Sequence, residues 1–150
     1  MRVSDVIKGK GLSIQTVDQK REVRSAIQIM HESNIGSVVI VNEISGKAIG
    51  IVSQMELLAA IHDLGAAALS QCIAGIMRRP APQCLESDSI NTAMSHMTQQ
   101  RARHLIVVNS AGDMVGLVSM GDLVAGRINS CELEADVLRD MARSRVWAAA

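Results

Sequence analysis

Aromatic side chains are almost missing from this sequence: it holds no Phe and no Tyr, and Trp147 is its one Trp. The interior must then be built from Val, Ile, Leu, Met and Ala, and a flat ligand ring would have to lie between aliphatic side chains. Net charge is missing too. Lys plus Arg equal Asp plus Glu at 15 each, with no basic or acidic block, so the attraction behind non-specific nucleic-acid binding is not written into the overall balance. No apolar run reaches the roughly 18 residues that span a bilayer, and the N-terminus lacks the charged-then-apolar pattern of a secretory signal. A cytoplasmic address with no membrane partner is expected. Cysteine is scarce and odd in number: Cys72, Cys84 and Cys131 show no CxxC spacing and no nearby His pair. That argues against a zinc site or a disulfide framework and for structural thiols. His31, His62, His96 and His104 form no metal-ligand motif. A Ser-His-Asp order, a nucleophile elbow and a Walker loop are also missing, so no catalytic residues and no enzyme activity are expected.

What the chain does have is a statement made twice. Gly50-Ile51-Val52-Ser53-Gln54-Met55-Glu56-Leu57 returns as Gly116-Leu117-Val118-Ser119-Met120-Gly121-Asp122-Leu123. Before it, Ser37 to Asn42 matches His104 to Asn109, and the helically spaced Val23, Ile27 and Met30 match Ile90, Met94 and Met97. A period of about 67 residues is too long for a solenoid and indicates a small α/β unit duplicated in one compact body. The 150 residues suffice for such a body with a sizeable core.

Each half reads as β-α-β-β-α. In the first, Leu12 to Val17 is a short strand candidate, Asp18 a cap for a helix to about Ser33, Ser37 to Val41 a β-branched strand, and Ala48 to Val52 the second strand of a hairpin. Ser53 opens another helix. In the second half a helix from about Ser70 to Met77 is stopped by Pro80 and Pro82. Strand Gln83 to Leu85, helix Ser89 to Gln100, strands Leu105 to Asn109 and Met114 to Val118, and a helix from Ser119 follow. Glu132 to Val146 then carries Leu133, Val137, Leu138 and Met141 at helical spacing, an amphipathic tail that needs a partner surface. The expected division is residues 1–65, 66–128 with a linker helix, and a tail at 129–150.

Tandem β-α-β-β-α units, each ending in Gly-hydrophobic-hydrophobic-Ser-x-x-Asp/Glu at a strand-to-helix junction, resemble a CBS-domain pair, or Bateman module. Arg101-Ala102-Arg103-His104-Leu105 and Gly121-Asp122-Leu123-Val124-Ala125-Gly126-Arg127-Ile128, with the trailing helix, are similar to the stand-alone bacterial members. The resemblance covers about residues 1–128. It implies an α+β fold of two repeats packed as a pseudo-two-fold pair with a C-terminal helix, and leaves no room for a catalytic domain.

The resemblance further implies regulatory binding of an adenine nucleotide, AMP, ATP or NAD(H), between the units. By carry-over Ser119 lies near the phosphates and Asp122 accepts from the ribose hydroxyls, with Arg103 a basic phosphate contact and His104 its neighbour. Ser53 and Glu56 are the first unit's counterparts. There Glu56 is a methylene longer than the usual Asp, Met55 replaces an Arg and Gly36 stands opposite Arg103, so that site is expected to be displaced and less cationic, and the stronger site to depend on Asp122. Adenine-facing positions fall near Ile14, Thr16 and Val38 in one unit and near Cys84 and Ile106 in the other. Lys8 and Lys10 either reach a phosphate or are solvated. Independently of any family, a carboxylate can accept from two vicinal hydroxyls and a helix start favours an anion. The same residues also fit capping boxes, Ser53 with Glu56 and Ser119 with Asp122, which is the reading in which they bind nothing.

The expectation is therefore a non-catalytic adenine-nucleotide sensor that signals by ligand-dependent repacking to an effector protein in trans, as a homodimer of head-to-head or head-to-tail form. The alternative is a ligand-free interaction or dimerisation scaffold with the same fold. No nucleic-acid partner is expected.

Overall fold

In the computed structural model, residues 1–11 and 14–148 are described, with side chains as far as residue 139 and at residue 141. The first unit holds β1 (Thr16–Asp18), α2 (Val23–Glu32), β2 (Ser37–Val41), β3 (Ala48–Ser53) and α3 (Gln54–Leu64), preceded by α1 (Val3–Lys10). Two 3-10 turns, Gly65–Ser70 and Ile73–Gly75, lead to β4 (Gln83–Leu85), α4 (Ile90–Gln99), β5 (His104–Val108), β6 (Met114–Ser119) and α5 (Met120–Ala148). Each unit has a three-stranded sheet in which the first strand runs parallel and the last antiparallel to the middle one, ordered β1-β2-β3 and β4-β5-β6. The registers repeat: Ser37 faces Ser53 as His104 faces Ser119.

Strand alternation sorts the middle strands between two surfaces. Val38 and Ile40 enter the first unit's core with Val23, Ala26 and Met30, while Leu105 and Val107 enter the second's with Ile90, Ala93 and Met97. Val39 and Ile106 are fully buried yet belong to neither cluster, as befits the sheet face turned toward the other unit. The segments that precede each repeat are exchanged. Val3 and Ile7 of α1 complete the core of the second unit, and Ile73 of the connector completes that of the first. A Cβ at Gly116 would stand 2.7 Å from Ile7 Cδ1, and one at Gly50 would stand 2.6 Å from Met77 Sδ, so glycine in each last strand is what lets the exchanged segment lie close. No helix among the described residues is long and apolar enough to cross a membrane.

The structure differs from the sequence expectations in five places. Helix α1 had no counterpart in the sequence reading. Of the strand proposed for Leu12 to Val17, residues 12 and 13 lie outside the described residues and the strand itself begins at Thr16. Asp18 does not cap α2: its carboxylate accepts from the Lys20 and Glu43 N–H groups, and α2 starts after Glu22. The helix proposed for Ser70 to Met77 is instead a pair of short turns, because the Ile73 and Ala74 N–H groups donate to the Arg21 and Gln19 carbonyls. Past Ser119 a single unbroken helix replaces the separate helix and tail.

Candidate functional site

Two clefts lie at the boundary between the units, each walled by both. Strand β3 ends at Ser53, whose Oγ accepts from the Met55 N–H at 3.3 Å while Glu56 Oε2 accepts the Ser53 N–H at 2.8 Å. This is a capping box at the start of α3. Opposite stands the second unit's α4–β5 loop with Arg101, Ala102, Arg103 and His104, and Arg78 and Pro82 of the connector close the end, enclosing about 260 Å³. The other cleft, about 310 Å³, is the pseudo-symmetric counterpart: Leu117 and Ser119 face the α2–β2 loop from Asn34 to Ser37, with Lys10, Gly11, Ile14 and Gln15 at the end.

Backbone bonds within each unit fix the strand-to-helix junction that walls its cleft. The Gln54 N–H donates to the Gly36 carbonyl at 3.3 Å, and its equivalent, Met120, donates to the Arg103 carbonyl at 2.9 Å. Each bond continues its own unit's hairpin ladder into the following helix, so the first N–H of each helix is already engaged and is not free for an anion. Arg78 is held from both sides. Its backbone exchanges two hydrogen bonds with Ile51, and its guanidinium donates to the Gln100 and Arg101 carbonyls at the end of α4.

The two junctions differ in charge. At the second, Asp122 Oδ2 accepts from the Ser119 N–H at 2.7 Å and the Ser119 hydroxyl at 2.8 Å, and forms an ion pair with Lys10 Nζ at 2.6 Å. Burial opposes ionisation of Asp122, but the Lys10 ammonium and the Ser119 donors outweigh it and hold the carboxyl below its ordinary value. At the first junction no lysine among the described residues pairs with Glu56, and the cations lining the cleft beside Ser53 are Arg101 and Arg103 of the second unit and Arg78 of the connector. His104 lines both clefts, its ring resting over Gly36. Its pKa is lowered, first by burial and then by Lys10, with a smaller push from Arg103, against the opposing pull of Asp122 and Glu56.

The CBS domain profile matches residues 3–63 and 73–128, nearly the whole duplicated region. This chain belongs to the CBS-domain family. Among solved structures, a CBS-domain containing protein of Agrobacterium tumefaciens is 30% identical with a TM-score of 0.79, covering 84% of this chain and 92% of that one. A CBS domain protein of Pyrobaculum aerophilum, solved in complex with AMP, shares the fold at 22% identity and a TM-score of 0.76, over 90% and 99% of the two chains. An uncharacterized protein of Methanopyrus kandleri is 33% identical over 63% of this chain and 48% of its own length. The chain spans about half the length of the curated relatives it matches. CBS domains are in general regulatory, non-catalytic modules.

Within this CBS pair the expected site residues are divided in a way the sequence reading did not foresee. Ser53, Glu56, Arg103 and His104 come together in one cleft; Ser119, Lys10, Ile14 and His104 come together in the other, with Asp122 held against Lys10 beside it. Arg103 was expected to serve the Asp122 site, but its loop walls the Ser53 cleft, because each junction faces the loop of the opposite unit. The expectation that the Ser53 cleft is the less cationic is overturned with it, since Arg78, Arg101 and Arg103 all line that cleft. Val38 and Cys84 point into the two cores, where burial pushes the Cys84 thiol up to about 12, so neither faces a ligand. Ile106 is fully buried and Thr16 lies exposed on β1, both outside the cleft linings. Lys8, on α1, is exposed and lines neither cleft. Arg78 was missed. Its signal was a basic residue just before the proline break, at the position one period after Gly11.

Proposed function

We propose that this CBS pair is a non-catalytic regulatory module that binds an adenine nucleotide, AMP, ATP or NAD(H), in the clefts between its units. The observation that carries the reading is the Ser53 cleft, where Arg78, Arg101 and Arg103 converge opposite a strand-to-helix junction in about 260 Å³. Arginines suit a phosphate because their planar forks donate in pairs. Aliphatic Ile51 and Pro82 in the same wall offer the apolar faces an adenine needs in a protein without Phe or Tyr. The AMP bound by the Pyrobaculum aerophilum relative supports the choice of ligand class. In this reading the arginine-lined cleft takes the phosphate first, whereas Lys10 already satisfies Asp122 and must move before that carboxylate can accept from a ribose. Because each cleft is walled by both units, a ligand that prefers one spacing of the walls shifts their packing, and an effector in trans reads the change. The protein acts in the cytoplasm as a homodimer.

Thermal unfolding with AMP, ATP and NADH tests this, since a ligand that binds only the folded state raises the midpoint in proportion to the logarithm of its concentration. A concentration-dependent rise with at least one of the three is expected. No rise with any of them would leave the interaction scaffold as the better account.

A further inference from the structure

Helix α5 runs for 29 residues, about 44 Å at 1.5 Å per residue. Its first turns are held by the second unit: Leu123 is fully buried, and a Cβ at Gly126 would stand 3.0 Å from Val6 and 3.3 Å from Ile90. Beyond Gly126 no side chain among the described residues is buried. Leu133, Val137 and Leu138 are exposed by 64%, 52% and 66%, and share one face with Ser130 and Glu134. Helices in water draw most of their stability from packing an apolar face. For this face the described residues of the chain provide no cover.

Charge along the same stretch is ordered. Glu132, Glu134 and Asp136 come before Leu138, and Arg139, Arg143 and Arg145 after it, with Asp140 the one exception. Asp136 and Arg139, at the changeover, form an exposed ion pair at 2.7 Å. A parallel copy of this helix would set acid beside acid and base beside base. An antiparallel copy sets the acidic half of each against the basic half of the other.

We propose that residues 130–145 of α5 dock antiparallel against the same segment of a second copy, with Leu133, Val137 and Leu138 meeting about a two-fold axis near the middle of the segment. Such a contact is self-complementary and closed. The inference gives a surface to the homodimer proposed above and does not depend on nucleotide binding.

Sedimentation velocity on the full chain tests it. The wild type is expected to dimerise, Leu133→Glu/Leu138→Glu to be monomeric, and the charge variants Glu132→Lys/Asp136→Lys and Arg139→Glu/Arg143→Glu each to weaken self-association about tenfold. An equimolar mixture of the two charge variants is expected to regain the dimer. Circular dichroism checks that each variant keeps its fold, and the charge pair provides the test if the double Glu variant does not. Monomeric wild type up to millimolar concentration would overturn the inference, as would unchanged dimerisation in both charge variants. A dimer that survives Leu133→Glu/Leu138→Glu but not Met55→Glu/Leu58→Glu, on the exposed stripe of α3, would overturn it while leaving the homodimer standing.

Discussion

His104 stands where the two clefts meet, and its charge is set first by burial and then by groups from four directions: Lys10 on α1, Asp122 on α5, Glu56 on α3 and Arg103 beside it in the chain. Its pKa is lowered by folding, so below the ordinary value of 6.5 the unfolded chain takes up a proton that the folded chain resists. The stability it contributes is therefore complete above that value and is lost as the pH falls through the window beneath it. Urea denaturation between about pH 7.5 and 5 is expected to show stability falling with acid, and His104→Asn to flatten that slope. An equal slope in the variant would place the effect elsewhere. At this scale the sequence was legible where partners are three residues apart, as for Ser53 with Glu56 and Ser119 with Asp122, because capping geometry is local. It was not legible for Arg103. Which junction that guanidinium faces depends on how two loops cross, and no spacing along the chain encodes that.

Elements were readable where an apolar stripe made them so, and misread where tertiary bonds decided. Val23, Ala26 and Met30 on α2 and Ile90, Ala93 and Met97 on α4 repeat at helical spacing, and all six are buried. Helix α1 carries Val3 and Ile7 but also Gly9, just before Gly11 ends it, and its order comes from the second unit it packs against. The connector around Ile73 has apolar spacing as good as many helices, yet its N–H groups are drawn to Arg21 and Gln19. The exchanged segments make a specific demand on glycine. Gly116→Val would collide with Ile7, and Gly50→Val with Met77 and with the Arg78 carbonyl, which lies 3.1 Å from the added Cβ. Each is expected to cost about 1–3 kcal/mol in chemical denaturation. Gly50→Val should also weaken nucleotide binding at the Ser53 cleft, because the displaced backbone carries Arg78. A Gly50→Val protein with both wild-type stability and wild-type affinity would contradict this packing.

The whole molecule was announced by its duplication: an octet repeated at a fixed distance implied two like units, and the family resemblance implied a ligand cleft between them. Pseudo-symmetry also explains why the clefts diverged. Position by position, Arg103 on one side is Gly36 on the other, and Arg78 is Gly11, so duplication kept the backbone frame while the charge collected in one cleft. The other cleft kept an internal ion pair between Lys10 and Asp122. The proposed ranking therefore sets the Ser53 cleft above the Asp122 site, in the opposite order to the one the sequence suggested. Titration calorimetry with AMP on the wild type, Arg103→Ala and Asp122→Ala tests that ranking most directly. Saturable binding is expected to fall at least tenfold in Arg103→Ala, about 1.4 kcal/mol, and to change little in Asp122→Ala. Binding abolished by Asp122→Ala and untouched by Arg103→Ala would contradict it.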